Sequence, residues 1–298
     1  MTPKQQWTYR ILLFIVFLMV IPVVIFYSFG YRISSDLKIV KTGGIYIANR
    51  LSDVSVLLNG KLKKASGILD RNILIQNIKP GSYKVNVVRE GCRTWEKHVK
   101  VCEQMVEVCY PLLITSELKP VEIPKYLSLE KNQTKKKGQK KPKPELNDEY
   151  QDIMELFNPT KKTSRSFFPN WTNKDIAALK LGSMRRLRDK VFLTNERNRI
   201  YVRWIGKENQ LPFFINTMKK KLIYSPRKEI TGLDFFPGRN DAFLVRFEDN
   251  SLYAVEIDTR FGTHNSYKLL KYCNRFVVNG EMLFFFSGSK LYSIDFEI

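Results

Sequence analysis

Glu256 and Asp258 stand two residues apart in a stretch that reads as a strand, a spacing that puts both carboxylates on one face, where they could hold a metal or a sugar hydroxyl. No third convergent group accompanies them, so a solvated strand face is expected instead. His98 and His264 are the only histidines, and the sequence has no H-E-x-x-H, no nucleophile elbow and no phosphate-cradling glycine loop. His98 falls on the strand face opposite Trp95 and reads as a solvent-facing residue. Arg185, Arg186 and Arg188, and Lys219 to Lys221, read as exposed turns between strands. Trp171, Trp204 and the run Phe284-Phe285-Phe286 could stack on a sugar or a base, but aromatics of this kind are needed first as core. Catalytic, cofactor-binding and metal-binding residues are therefore expected to be absent, and the chain is expected not to be an enzyme.

The element that positions everything else is the stretch from Ile11 to Phe29, nineteen residues without a charge. At about 1.5 Å of rise per residue it would extend roughly 28 Å as a helix, close to the hydrocarbon thickness of a bilayer. Trp7 and Tyr9 before it, and Tyr27 and Tyr31 after it, sit where amphipathic rings settle at the headgroup level. Ser28-Phe29-Gly30 has small residues at the two positions a signal peptidase requires, so cleavage before Tyr31 is open. Signal-peptide cores are usually about 7 to 15 residues, however, and the longer run favours a retained anchor. Lys4 and Arg10 lie on one side and Arg32, Lys38 and Lys41 on the other, so the distribution of positive charge hardly discriminates orientation.

Charge narrows the partners. The 298 residues carry 50 Lys and Arg against 29 Asp and Glu, a formal net charge of +21. That surplus is diffuse, with 18 basic against 10 acidic residues in 1–130, 9 against 5 in 131–163 and 23 against 14 in 164–298. A nucleic-acid groove would concentrate it, so nucleic acid is not the expected partner. Lys131, Lys135, Lys136, Lys137, Lys140, Lys141 and Lys143 do cluster, with no acid and almost no apolar residue among them. Such a run reads as a solvated linker, and its functional reading is weak contact with a polyanion. Glu149 to Phe157 reads as a short helix. Cys92, Cys102, Cys109 and Cys273 would allow three full pairings in an oxidising compartment.

From Gly43 to about Leu113 the pattern is one of short strands and tight turns: Ile45 and Ile47; Val54, Val56 and Leu58 up to Asn59-Gly60; Ile73 and Ile75; Tyr83, Val85 and Val87 after Pro80-Gly81; past Gly91, Trp95, Lys97, Val99 and Val101 on one face; and, after a turn at Glu103-Gln104, Met105 to Tyr110. About six strands would make a small antiparallel sandwich. The order Pro80-Gly81-Ser82-Tyr83, a strand, Glu90-Gly91-Cys92 and Trp95 resembles a PEGA domain over residues 43–115. Leu51-Ser52-Asp53-Val54 replaces the tetrapeptide that names the family, and Cys92 stands where the family usually has an aromatic residue. In the resemblance Asn59, Gly60, Pro80, Gly81, Tyr83, Gly91 and Trp95 are the structural motif. The likeness implies an extracytoplasmic, non-enzymatic surface module of bacterial envelope proteins, with the N-terminus inside.

After Phe167 strands are expected at Ile176 to Leu181, Val191 to Thr194, Ile200 to Ile205, Phe213 to Asn216, Lys221 to Tyr224, Gly232 to Phe236, Ala242 to Phe247, Ser251 to Asp258, Arg275 to Val278, Met282 to Phe286 and Lys290 to Phe296. The phrases Ile230-Thr231-Gly232-Leu233-Asp234-Phe235-Phe236-Pro237 and Phe243 to Asp258 resemble β-propeller blades. About three four-stranded blades would result, whereas closed propellers use four to eight, so the ring is incomplete or another segment or chain, a second copy included, completes it.

The expected organisation is thus mainly β: a cytoplasmic tail at 1–10, a transmembrane helix at 11–29, a PEGA-like β-sandwich at 43–115, a lysine-rich linker with a short helix at 131–163 and a propeller-like region at 164–298. The expected role is an anchored, extracytoplasmic binding protein that contacts membrane lipid through its helix and a wall polymer, surface glycan or envelope protein through its β domains. The alternatives are an assembly scaffold working by strand pairing and, behind it, a propeller-type hydrolase.

Overall fold

The computed structural model describes residues 3–33, 39–66, 71–125, 147–157, 185–262 and 264–296. The chain is mainly β and divides into two compact units, residues 1–115 and 116–298.

Unit 1 begins with helix α1, Pro3–Ser28. From Gln6 to Ser28 its mean hydropathy is 2.9 and none of it is buried, so it is long and apolar enough to span a membrane. Gly30 then turns the chain into a two-stranded hairpin, β1 (Tyr31–Ile33) against β2 (Ile39–Lys41).

The rest of unit 1 is two sheets built from β3 (Gly43–Ile47), β4 (Ser55–Leu58), β5 (Lys61–Ala65), β6 (Ile73–Ile78), β7 (Gly81–Val88), β8 (Trp95–Val101) and β9 (Val106–Cys109). Their orders are β5-β4-β7-β8 and β6-β3-β9. Alternation sets the core: Trp95, Lys97, Val99 and Val101 of β8 point inward, and Glu96, His98 and Lys100 outward. Val56, Leu58, Val85, Val87, Ile45, Ile47 and Ile73 supply the other inward rows. Each such aliphatic side chain contributes about 1.5–3 kcal/mol when fully buried. Asn59 and Gly60, with φ of 50° and 78°, close β4 onto β5 in a two-residue turn that demands the left-handed region twice. Gly43 has a different reason to be glycine, since a Cβ there would lie 2.2 Å from the Cys102 carbonyl oxygen.

Two features depart from the sequence expectation. The module is not wholly antiparallel, because β9 runs parallel to β3 after the short turn from β8 carries the chain to the other sheet. A seventh strand, β5, escapes the sequence pattern because Lys-Leu-Lys-Lys-Ala is exposed along its whole length and shows no alternation.

Unit 2 holds β10 (Val121–Ile123), α2 (Asp148–Phe157) and eleven strands after residue 184: β11 (Arg185–Arg188), β12 (Val191–Glu196), β13 (Arg199–Trp204), β14 (Lys221–Tyr224), β15 (Ile230–Phe235), β16 (Ala242–Phe247), β17 (Leu252–Glu256), β18 (Ser266–Leu270), β19 (Arg275–Asn279), β20 (Met282–Ser287) and β21 (Lys290–Asp295). They form three four-stranded antiparallel sheets, β11-β12-β13-β14, β15-β16-β17-β18 and β19-β20-β21-β10. The leading strands β11, β15 and β19 are spatial neighbours in that order.

The third sheet explains why the unit starts well before residue 164. Its outer place is filled by β10, with Val121 opposite Ser293 and Ile123 opposite Leu291. Helix α2 then covers the same sheet, burying Ile153 beside Ile123, Phe284 and Leu291. Phe157 meets Phe286 edge to face at 5.0 Å.

Phe213 to Asn216 is not a strand but a turn that buries Phe214 and Ile215. The expected strand at Ile176 to Leu181, together with Trp171 and the lysines of 131–143, lies outside the described residues.

Candidate functional site

The carboxylate pair singled out by spacing is not a wet strand face. Glu256 and Asp258 are 3% and 7% exposed. Asn265 donates to Glu256 Oε2 from its amide side chain (3.1 Å) and from its backbone (3.3 Å). Arg260 grips Asp258 with Nε and Nη2, each at 3.0 Å, while its backbone N–H donates to Asp258 Oδ1 at 3.0 Å.

A second two-pronged pair lies at the same end of the sheet, where Arg239 donates to Asp241 at 2.8 and 2.7 Å. Burial opposes the charge of Arg239, but the carboxylates of Asp241 and Glu256 outweigh it and hold the guanidinium above its ordinary pKa. Arg188 of β11 donates to the carbonyls of Phe236 (2.7 Å) and Arg239 (2.9 Å). Arg185, Arg186 and Arg188 are accordingly not an exposed turn; they form a half-buried strand whose last residue clamps the β15–β16 turn. The sequence signal for this network was Asp-x-Arg and Arg-x-Asp spacing, 258/260 and 239/241. These charges neutralise one another, and among the described residues no group of three or more His, Cys, Asp or Glu side chains could hold a metal.

His98 is exposed, and His264 packs edge to face on Tyr224 at 5.6 Å. Trp204 is core, with its indole N–H donating to the Lys207 carbonyl at 2.9 Å. Phe284 and Phe285 are buried, Phe285 stacking on Tyr292 at 5.5 Å. The four cysteines are free thiols. Burial pushes the Cys273 thiol up to about 12, against the pull of Arg246, which leaves it a poor nucleophile at neutral pH.

The PEGA-like positions occupy turns and core of unit 1. Asn59 Oδ1 accepts from the Lys84 backbone N–H at 2.9 Å, and the Tyr83 hydroxyl donates to the Lys79 carbonyl at 2.8 Å across the Pro80-Gly81 turn. Gly91 sits at φ 72°. Trp95 is 1% exposed. Lys97 shares the inward face of β8 with Trp95, as the two-residue spacing predicts. It is 2% exposed, with its ammonium 5.9 Å from the Trp95 ring.

The aromatic residues flanking the apolar stretch of α1 divide into two kinds. Trp7, Tyr9 and Tyr27 are exposed on the helix. Tyr31 is half-buried, 5.4 Å from Phe26 and under the Lys41 ammonium at 5.5 Å.

Comparison with known proteins adds little to this geometry. No family model matches the chain, and no curated protein does. Among solved structures the chain is similar to the crystal structure of the N-terminal domain of Nup159, at 17% identity and a TM-score of 0.25 over 38% of this chain and 29% of that one. A likeness that low carries no argument about fold or function.

Proposed function

We propose that this chain is a membrane-anchored, extracytoplasmic, non-enzymatic binding protein of a bacterial cell envelope. Unit 1 serves as a PEGA-like module at the membrane, and unit 2 as an incomplete, propeller-like array of three blades that presents surface to a wall polymer, glycan or envelope protein. The observation that carries the reading is α1, an unburied apolar helix that continues directly into a β module. The buried charges of unit 2 support it, because they are spent on each other and on turn carbonyls, as a scaffold for surface loops would spend them. Gentle detergent extraction of the full chain, followed by identification of copurifying protein and glycan, tests it. A glycan or envelope protein at constant ratio is expected; recovery with cytoplasmic proteins alone would sink it.

The outermost strands β14 and β18 favour a second reading, an assembly scaffold that adds a partner's strand to a sheet edge. One protein at fixed stoichiometry, without glycan, is its expected signature.

A further inference from the structure

Ile33 and Ile39 are directly opposed across the β1–β2 hairpin and are 74% and 66% exposed. A two-stranded hairpin gains nothing from displaying two such side chains to water. Their position supplies the reason. Ile33 is five residues past the end of α1, and the connection is bonded rather than free. The backbone N–H and hydroxyl of Thr42 both donate to the Gly30 carbonyl, at 3.0 and 2.9 Å. The Gln104 side chain, on the β8–β9 turn, donates to the Phe29 carbonyl at 3.3 Å, and its backbone N–H to the Thr42 carbonyl at 3.0 Å.

Arg32 tightens the junction further. Its guanidinium lies 3.5 Å from the centre of the Tyr27 ring and donates to the carbonyls of Tyr27 (2.7 Å) and Tyr31 (2.8 Å), a cation satisfying the C-terminal end of a helix dipole. It also donates to Asn77 Oδ1 at 2.7 Å, tying the helix end to β6. The same end of unit 1 exposes Phe29 (63%), Met105 (56%) and Val106 (53%). Lys41 shares the Tyr31 and Ile33 face of the hairpin by strand alternation, and Glu103 is the acidic residue on the neighbouring turn.

We infer that the paired strands β1 and β2 and the turn between β8 and β9 form a foot that rests in the membrane interface beside the span, with Ile33, Ile39, Phe29 and Met105 in the headgroup–acyl boundary and Lys41 at the level of the lipid phosphates. The occupant of this apolar surface is phospholipid, because the surface is continuous with a helix that is itself apolar on every side. The foot rests on the anchor reading. It adds that unit 1 is held at a fixed tilt on the bilayer instead of swinging on a tether, so every surface of unit 1 has a defined height.

The test adds one tryptophan at a time to the full chain in phosphatidylcholine vesicles and quenches fluorescence either by dibrominated lipid or by aqueous iodide; because the chain already holds four tryptophans, each added residue is read as the difference from the parent chain, and Trp7 as the difference between the parent chain and Trp7→Phe. Ile39→Trp and Ile33→Trp report the foot, both at exposed positions that a larger side chain does not disturb. Glu90→Trp is the distal control. It is exposed and lies beyond the far end of β7, which runs from Gly81 at the foot for eight residues, roughly 25 Å at strand rise. The added emission of both foot variants is expected to be quenched severalfold more by brominated lipid than that of Glu90→Trp, and protected from iodide. Foot variants that behave like Glu90→Trp, while native Trp7 keeps its brominated-lipid quenching, overturn the foot and leave the anchor standing. Loss of lipid quenching for Trp7 as well overturns both.

Discussion

Trp95 and Lys97 stand two residues apart on β8 and both enter the core of unit 1, the ammonium 5.9 Å from the indole ring. The tryptophan is the largest side chain in that core, and truncating a buried Trp costs about 3–5 kcal/mol, a large share of what a small β module has. Trp95→Ala is expected to abolish the cooperative thermal transition of unit 1, followed in the full chain by protection of β7 and β8 amides from hydrogen exchange. Wild-type protection in the variant would remove Trp95 from the core.

The Arg239–Asp241 pair makes a second, sharper prediction because its side chains are only 13% and 11% exposed. Removing one partner of a buried pair leaves an uncompensated charge and typically costs about 3–5 kcal/mol, whereas replacing both by apolar residues of similar volume is often neutral. Asp241→Ala should therefore lower the thermal midpoint of unit 2 strongly, and Arg239→Met with Asp241→Leu should recover most of the loss. Equal damage in the single and double variants would mean that the pair is needed for its shape at the turn and not for its charge balance.

How much of this was readable beforehand depended on whether burial followed alternation. It did in β8, where Trp95, Lys97, Val99 and Val101 point inward as spaced; β16 was legible for another reason, because its bounds match the near-continuous apolar run from Ala242 to Phe247, which is buried on both faces. It failed where polar residues carry strands. Lys61–Ala65 and Arg185–Arg188 pair through their backbones, which sequence patterning does not register. β10 is three residues long and gains its place only by completing a sheet whose other strands lie about 150 residues later, a non-local pairing with no local signature. The Glu256 and Asp258 face was misjudged because β17 ends at Glu256 and is buried on both faces, so the alternation that marks one wet face does not apply, and Asp258 lies past the strand where Arg260 covers it.

The turn between β16 and β17 carries a pH dependence. Asp249 accepts hydrogen bonds from the Lys228 ammonium and from the hydroxyl and backbone N–H of Ser251, and these hold its carboxyl well below the usual carboxylate range. A depressed carboxyl contributes stability above its unfolded pKa of about 3.9 and loses it as pH falls toward the folded value. Asp249→Asn should thus be less stable than wild type at neutral pH, by a small amount because the site is solvent-screened. The gap should close as pH falls below about 4. A gap that persists undiminished in strong acid would show that the amide disrupts the turn for steric reasons.

Orientation is open to a direct measurement. With the N-terminal ten residues cytoplasmic and everything beyond Tyr31 outside, trypsin added to intact cells should cut among the lysines of residues 131–143. Protection until the membrane is breached would reverse the topology and move the proposed binding surfaces to the cytoplasmic face.

The last prediction separates the β units from the lysine run as the source of binding. Lysine charges without apolar neighbours attract a polyanion through solvent, and that attraction fades as the Debye length shortens from about 10 Å at 0.1 M salt to about 3 Å at 1 M. Contacts made by packed aromatic and backbone groups survive the change. Binding of the soluble region beyond Tyr31 to purified envelope material should be measured across this range, with Lys131, Lys135, Lys136, Lys137, Lys140, Lys141 and Lys143 intact or replaced by serine. The replacement should weaken binding modestly at low salt and make no difference at high salt, where substantial binding persists. If either treatment abolishes binding, the polycation is the ligand-contacting element and the three sheets of unit 2 only support it.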